Sequence, residues 1–144
     1  MKVVIALGSN LGDRRATLDA AVVALGKFID HIKVSTYIET DPVGGPEQPD
    51  YLNAVLVGEA ELTPEELLTK MREIESDAGR QRVERWGART LDLDLIVAGD
   101  HIMESEFLTL PHPRAHERRF VLDPWLEVDP GGILPGYGEV RLIP

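Results

Sequence analysis

The sequence contains no cysteine among its 144 residues, which excludes disulfides, thiolate zinc sites and cysteine nucleophiles. Aromatic residues make up only 6% of the chain, and no apolar run approaches the roughly 18 residues that a membrane span requires. The apolar stretch 1–7 is short and continues into a Gly-Ser-Asn turn without a small-residue cleavage pattern, so we interpret it as a buried strand and not a signal peptide. These absences predict a soluble, cytoplasmic protein with no membrane partner.

Basic side chains are outnumbered by acidic ones, 15 to 25, and the formal net charge is −10. Such a charge argues against a nucleic-acid partner, because binding the phosphate backbone depends on a basic surface. The basic residues are nevertheless clustered: Arg80, Arg82, Arg85 and Arg89 lie within ten residues that contain one acid, Glu84. A solvated charged loop and a small polyanion site are both open interpretations of this cluster.

The hydrophobic content of 43% and the length predict one globular domain, residues 1–144. Periodicity predicts strands at 2–7, 31–38, 51–57 and 91–97, amphipathic helices at 14–28 and 64–78, and a short helix near 118–126. The order βαββαβ predicts an α+β, ferredoxin-like fold, in which an antiparallel sheet carries both helices on one face and additional C-terminal elements follow.

Local signals mark the helix ends and one long loop. Asp13 is placed to cap the first helix, and the segment 63–66 has an N-cap threonine, a proline and a capping-box glutamate. Gly79 stands where a C-terminal cap belongs. The stretch 39–50 contains three prolines and two glycines and has no periodicity; loops of this length commonly bind ligands, although a plain surface excursion is also common.

Asp92 and Asp94 are the first candidates for chemistry. They stand two apart on the last predicted strand, so both carboxylates leave one face of the sheet while the leucines between and beside them enter the core. This spacing suits two magnesium ions with oxygen ligands, although the wet face of a half-exposed sheet is the ordinary alternative. Two acids directly after four arginines are the groups that phosphoryl transfer uses.

Other phosphate-handling and hydrolytic motifs are missing. The segment 8–12, Gly-Ser-Asn-Leu-Gly, lacks the Gly-Lys-Ser/Thr ending of a P-loop. The protein-kinase signatures and the Gly-x-Ser-x-Gly elbow of hydrolases are also absent. His112 lies between two prolines that would fix the direction of its ring, and a structural histidine is the alternative to a functional one.

Four segments resemble the signature blocks of the hydroxymethyldihydropterin pyrophosphokinase family, in that family's order and spacing. They are 8–12, 49–53, 79–95 and 110–114. The resemblance extends from the first strand to about Pro130, and its most specific part is the block around Trp86. It implies a transferase of folate biosynthesis that moves a diphosphate from ATP to 6-hydroxymethyl-7,8-dihydropterin and releases AMP, by attack on the β-phosphorus.

The resemblance also implies roles for individual residues. Asp92 and Asp94 would ligate two Mg²⁺ ions. ATP, the co-substrate, would be bound by Glu75, Arg82, Trp86, Arg89, Thr109, His112 and Arg118. The pterin would be bound by Thr40, Val43, Tyr51, Asn53 and Phe120, with Tyr51 and Phe120 stacking on its two faces. Catalysis would involve Arg80, Arg82, Arg89 and Asp94.

Some alternatives stay open at this level. Core packing is the ordinary role of Tyr51 and Phe120, and Ala88 and Asp41 stand where many family members have proline. A non-catalytic, ferredoxin-like nucleotide sensor would use the arginines without needing both aspartates. An RNA-binding module on the same plan is disfavoured by the acidity and by the lack of paired aromatics on strands one and three. We expect a monomer whose partners are the two small-molecule substrates.

Overall fold

The structure is a computed structural model that describes residues 1–41, 48–79 and 90–144. Its helices are α1 (Arg14–Leu25), α2 (Pro64–Asp77) and α3 (Arg119–Val128), with 3₁₀ turns at Ala115–Glu117 and Val140–Leu142. Its strands are β1 (Lys2–Ser9), β2 (Asp30–Val34), β3 (Ile38–Thr40), β4 (Tyr51–Glu59), β5 (Asp92–Ala98), β6 (Met103–Glu104), β7 (Thr109–Leu110), β8 (Ile133–Leu134) and β9 (Gly138–Glu139).

The main sheet has the strand order β2-β4-β1-β5, and β3 pairs with the other end of β4. Each of these pairings is antiparallel, so the predicted α+β class with an antiparallel sheet is confirmed. β1 lies between β4 and β5 and is almost entirely buried, because layers of side chains cover both faces of the sheet. β6 and β7, and likewise β8 and β9, form small two-stranded hairpins outside it.

Successive residues of β1 point into two separate cores. Val3, Ile5 and Leu7 join a cluster that contains the buried residues of α1 and α2, so these two helices share one face. Val4 belongs to a second cluster with Trp125 of α3, on the opposite face. The alternation follows from the two-residue period of a strand, and it leaves α3 as the cover of the face that carries the aspartates.

The capping signals in the sequence are confirmed. The Asp13 carboxylate accepts a hydrogen bond from the backbone of Ala16, and α2 begins with a capping box between Thr63 and Glu66. Gly79 follows the end of α2 with φ of +74°, a conformation that glycine adopts at little cost. None of the helices in the described ranges is long and apolar enough to cross a membrane.

The prediction of one continuous strand at 31–38 is wrong, because two strands, β2 and β3, occupy this region. Between them, the Ser35 hydroxyl accepts a bond from the Val55 amide, which takes the place of a backbone acceptor. The Thr36 amide donates to the Glu127 carboxylate of α3 at 2.7 Å. Side chains therefore satisfy backbone groups at the interruption, and the strand ladder breaks there. The helix predicted to reach residue 28 ends at Leu25, where Gly26 follows.

Candidate active site

A cavity of about 360 Å³ opens on the α3 face of the sheet, beside the ends of β1, β4 and β5. Its walls contain both aspartates, several basic residues and two aromatic rings. They are Ala6, Leu7, Gly8, Thr40, Asp41, Gln48, Tyr51, Asn53, Asp92, Asp94, His112, Arg114, Arg118, Phe120 and Val121. Eight residues predicted to bind substrate or metal are thus brought to one cavity: Thr40, Tyr51, Asn53, Asp92, Asp94, His112, Arg118 and Phe120.

Strand register explains how distant parts of the chain meet here. Gly8 of β1 pairs with Asn53 on one side and with Asp92 on the other, and Ala6 pairs with Asp94. Cross-strand neighbours lie about 4.5–5.5 Å apart, so the Asn53 amide and the two carboxylates lie on one face of the sheet, on the two strands that flank β1. The small residues of β1 separate them without filling the cavity.

Gly8 lines the cavity, and the sequence did not reveal its place there. A Cβ atom at this position would lie 3.0 Å from Asn53 Oδ1 and 3.3 Å from Cδ1 of the Tyr51 ring. Both contacts are tight, so any larger residue would displace two side chains of the cavity wall. Glycine suits this position because of the close approach of the two side chains, and not because of a positive φ angle.

Asp92 and Asp94 are half-buried, and the alternating Leu91, Leu93 and Leu95 lie in the core, as the two-residue period predicted. Burial, and then the negative charge of Asp92, raise the pKa of Asp94 to about 7. The positive charges of Arg118 and Arg72 lower the pKa of Asp94 and so oppose this rise. The cavity thus holds two acidic groups whose mutual repulsion a bound cation would relieve.

The basic wall of the cavity contains His112, Arg114 and Arg118. Burial, and then the nearby positive charge of Arg118, lower the pKa of His112 to about 4, so the ring is neutral near pH 7. Its Nδ1 accepts a hydrogen bond from the Arg114 backbone at 3.2 Å, which places the ring proton on Nε2. His112 can therefore donate a hydrogen bond to an anion without carrying charge.

Four of the five residues predicted to bind the pterin lie on β3, β4 and α3. Thr40 pairs with Tyr51 between β3 and β4, and the Asn53 amide donates a hydrogen bond to the Thr40 hydroxyl. Asn53 is almost fully buried. The Arg118 guanidinium lies 5.6 Å from the centre of the Phe120 ring, which links the aromatic part of the cavity to its basic wall.

Asn10 of the β1–α1 connection and Arg14, the first residue of α1, bond to residues at both ends of the stretch 39–50. The Asn10 amide, which is 1% exposed, donates to Gln48 Oε1 at 2.7 Å and to the Pro49 carbonyl at 3.0 Å. Arg14 bonds to the Asp50 carbonyl at 3.0 Å and to the Glu39 carboxylate at 2.6 Å. These bonds fix the ends of the loop relative to the turn that follows Gly8.

Two predicted nucleotide ligands are not on the cavity wall. Thr109 lies on β7 and pairs with Glu104. Glu75 is buried beside β5, where its carboxylate accepts a bond from the Leu93 amide.

The other predicted site residues, Val43, Arg80, Arg82, Trp86 and Arg89, are outside the described residues. Arg114, Asp41 and Gln48 line the cavity without having been predicted; the only sequence signal was the position of Arg114 beside His112.

Comparison with protein families identifies the chain. The profile of the family described as 7,8-dihydro-6-hydroxymethylpterin-pyrophosphokinase (HPPK) matches residues 4–130. The chain belongs to this family. The match spans every residue that lines the cavity, from Ala6 to Val121, and it confirms the family resemblance drawn from the sequence blocks.

Several curated HPPK relatives share much of the sequence, each named 2-amino-4-hydroxy-6-hydroxymethyldihydropteridine pyrophosphokinase. The Haemophilus influenzae protein is 42% identical over 133 residues, which is 91% of this chain and 83% of the relative. The Bacillus subtilis protein is 45% identical over 126 residues, covering 86% and 75%. The Mycobacterium bovis protein is 46% identical over 150 residues, covering 97% and 79%.

A solved structure also resembles this fold. The crystal structure of a Plasmodium falciparum HPPK-DHPS variant with pteroate superimposes with a TM-score of 0.73. The alignment covers 99% of this chain and 42% of that chain, at 12% sequence identity. At this identity the likeness concerns the fold alone.

Proposed function

We propose that this protein transfers a diphosphate from ATP to 6-hydroxymethyl-7,8-dihydropterin, giving the pterin diphosphate and AMP, a step of folate biosynthesis. Membership of the HPPK family and the names of the curated relatives support the reaction. The observation that carries the proposal is the single cavity that contains a carboxylate pair, a basic wall and a polar-aromatic end. Each part suits a different portion of the two substrates.

The aromatic end suits the pterin. A flat heteroaromatic ring gains buried area against Tyr51 and Phe120, while Thr40 and Asn53 supply hydrogen-bonding groups for its polar edge. Gly8 keeps the space beside Asn53 and Tyr51 open. We assign the pterin to this end because the two aromatic rings and the polar groups of Thr40 and Asn53 lie together there, and an unpaired ring amide would be costly to bury.

The carboxylate pair fits magnesium. Asp92 and Asp94 bring only oxygen ligands to the cavity, and Mg²⁺ is commonly held by one or two carboxylates with substrate phosphates completing its shell. Burial, and then the negative charge of Asp92, raise the pKa of Asp94, and a bound cation would favour its ionised form. We propose that the two aspartates hold two Mg²⁺ ions, which when bound would neutralise charge on the phosphate oxygens.

The basic wall suits the ATP phosphates. Arg118 and Arg114 carry fixed positive charge, and neutral His112 can donate from Nε2. Guanidinium groups grip phosphate oxygens in pairs, which orients the chain of phosphates as well as attracting it. On the basis of the sequence alone, the proposal keeps Arg82, Arg89 and Trp86 as further contacts to ATP and Arg80 as a catalytic residue. It also keeps Glu75 and Thr109 near the nucleotide.

The reaction we propose is an in-line displacement. The pterin hydroxymethyl oxygen forms a bond to the β-phosphorus, and the bond from that phosphorus to the α,β-bridging oxygen breaks, so that AMP leaves. Asp94 is the carboxylate we expect to contact the attacking hydroxyl, whose O–H bond breaks with loss of the proton to solvent as the bond to phosphorus forms. The arginines stabilise the charge that develops on the bridging oxygen, so catalysis consists mainly of positioning and charge neutralisation.

The remaining parts of the proposal concern the whole chain. We propose a single ferredoxin-like domain, which the strand order β2-β4-β1-β5 and the placement of α1 and α2 on one face support. We also propose a cytoplasmic monomer. A non-catalytic nucleotide sensor is not favoured, because the cavity contains a polar-aromatic end and a carboxylate pair in addition to its basic wall.

The test is to incubate the protein with ATP, Mg²⁺ and the pterin alcohol, and to identify the phosphorus-containing products by ³¹P NMR. AMP and a pterin diphosphate are expected; ADP would overturn attack at the β-phosphorus. An ATP analogue with a methylene group between the β- and γ-phosphorus should still release AMP. An analogue with the methylene group between the α- and β-phosphorus should be inert, because the bond that must break is absent.

A further inference from the structure

The carboxylate of Glu75 is buried against the strand that carries the two aspartates. Its side chain is only 1% exposed. Glu75 Oε2 accepts a hydrogen bond from the Leu93 amide at 2.8 Å, and Oε1 accepts one from Arg72 at 2.6 Å. The same Arg72 nitrogen donates to the Leu93 carbonyl at 3.1 Å. Two residues of α2, one turn apart, thus bond to both backbone groups of Leu93.

These bonds replace a missing strand. Within the described residues β5 is the last strand of the main sheet and pairs with β1 on one side. On its other side, the Leu93 amide and carbonyl meet a carboxylate acceptor and a guanidinium donor, which supply the pair of bonds that a neighbouring strand would make. An open edge would otherwise leave these groups to solvent and allow the strand to shift.

Leu93 lies between the two aspartates, so bonds to its backbone affect both of them. Its amide belongs to the peptide that joins it to Asp92, and its carbonyl belongs to the peptide that joins it to Asp94. Because a peptide is planar, a bond to each of these groups restrains the orientation of the adjoining residue. The pair on α2 therefore restrains the backbone on both sides of Leu93, without touching either acidic side chain through these bonds.

We infer that Arg72 and Glu75 are positioning residues that hold the Asp92 and Asp94 carboxylates at the spacing needed for divalent cations, acting through the backbone of Leu93. The inference rests on the proposed function, in which these aspartates bind Mg²⁺. An ordinary attachment of helix to strand would stabilise the fold and would leave cation binding unchanged. Residues that orient metal ligands without binding the metal themselves typically contribute 10- to 100-fold to metal affinity or activity.

Charge and positioning predict opposite results for one variant, which makes the inference testable. Arg72→Ala removes a positive charge near the site, so a purely electrostatic effect would tighten cation binding; Glu75→Gln removes a negative charge and would weaken it. If the two residues position the aspartates, both variants weaken binding. Arg72→Lys keeps the charge and one donor and should recover part of the loss.

The measurement is the affinity of the ligand-free protein for Mn²⁺, determined by electron paramagnetic resonance, with amide hydrogen exchange at Leu93 followed by NMR. We expect about tenfold weaker Mn²⁺ binding and faster Leu93 exchange in Arg72→Ala and in Glu75→Gln. Glu73→Gln is the matched control, since Glu73 lies on the same helix and is exposed. It should change neither quantity.

Tighter Mn²⁺ binding by Arg72→Ala would overturn the inference, and so would unchanged affinity in both variants, even with faster Leu93 exchange. Failure of the proposed metal site is read separately, from Asp92→Asn and Asp94→Asn in the otherwise unchanged protein. If neither aspartate variant weakens Mn²⁺ binding, the metal site is wrong, whatever Arg72 and Glu75 do to the exchange of Leu93.

Discussion

Asp94 should destabilise the metal-free protein at neutral pH, and asparagine in its place should relieve this. Burial and the Asp92 charge raise the pKa of Asp94 from 3.8 to about 7. The unfolded chain therefore releases this proton near pH 4, whereas the folded protein keeps it until about pH 7. Between these values the folded state binds more protons, so the contribution of Asp94 to stability falls as pH rises and is constant above about pH 7.

The size of the effect follows from the two pKa values. They differ by about three pKa units, and each is worth about 1.4 kcal/mol, which sets an upper limit of about 4 kcal/mol. Part of the carboxylate remains in contact with water and part of the repulsion is shared with Asp92, so we expect Asp94→Asn to raise the free energy of unfolding by about 1–3 kcal/mol at pH 8. For a chain of this size that is a rise in Tm of about 2–4 °C per kcal/mol.

The assay is urea unfolding in the presence of EDTA at pH 8 and at pH 4. The gain in stability should be present at pH 8 and nearly absent at pH 4, where the wild-type carboxylate is protonated when folded. Asp100→Asn is the control, because Asp100 is an exposed aspartate. Mg²⁺ should stabilise the wild-type protein more than the variant. Lower stability of Asp94→Asn at pH 8, or a gain that is equal at both pH values, would refute the reasoning.

Three further predictions concern the cavity and its borders. Gly8→Ala should weaken pterin binding about tenfold or more in fluorescence titrations, because the added Cβ would lie 3.0 Å from Asn53 Oδ1; unchanged affinity would show that the wall yields. Arg82→Ala should lower kcat by about 10²–10³ with little change in the affinity for an ATP analogue, whereas Arg89→Ala should weaken both; a proportional loss of affinity in Arg82→Ala would make it a ground-state contact. Asn10→Ala should raise KM for the pterin, since it releases one end of the bordering loop, and a KM equal to that of the wild type would contradict this.

Local pattern alone determined a large part of the fold. The alternation across 91–97 predicted that Asp92 and Asp94 leave the core side of their strand, and the structure buries the intervening Leu93. The sequence 63–66 predicted a capping box, which is present. These features depend on residues a few positions apart, and the period of a strand or the first turn of a helix leaves a direct trace in the sequence.

Tertiary structure decided what meets at the site. Gly8 was recognised as part of a turn, yet its position between Asn53 and Asp92 follows from the pairing of β1 with two strands that begin more than 40 residues away. Glu75 near the nucleotide stays a prediction, whereas the bond of its carboxylate to the Leu93 backbone is a contact that only the tertiary structure shows. Neither contact depends on side-chain periodicity.

The interruption between β2 and β3 is also decided by a residue distant in the sequence. Residues 31–38 have the composition of one strand, and it is Glu127, 91 residues further along, that binds Thr36 where the ladder breaks. Periodicity predicted which face of each element is apolar, because the buried residues recur at every second position of a strand and at every third or fourth position of a helix. Register and helix-to-strand contacts were decided only on folding, because backbone hydrogen bonds are made by every residue type and carry almost no signature in the sequence.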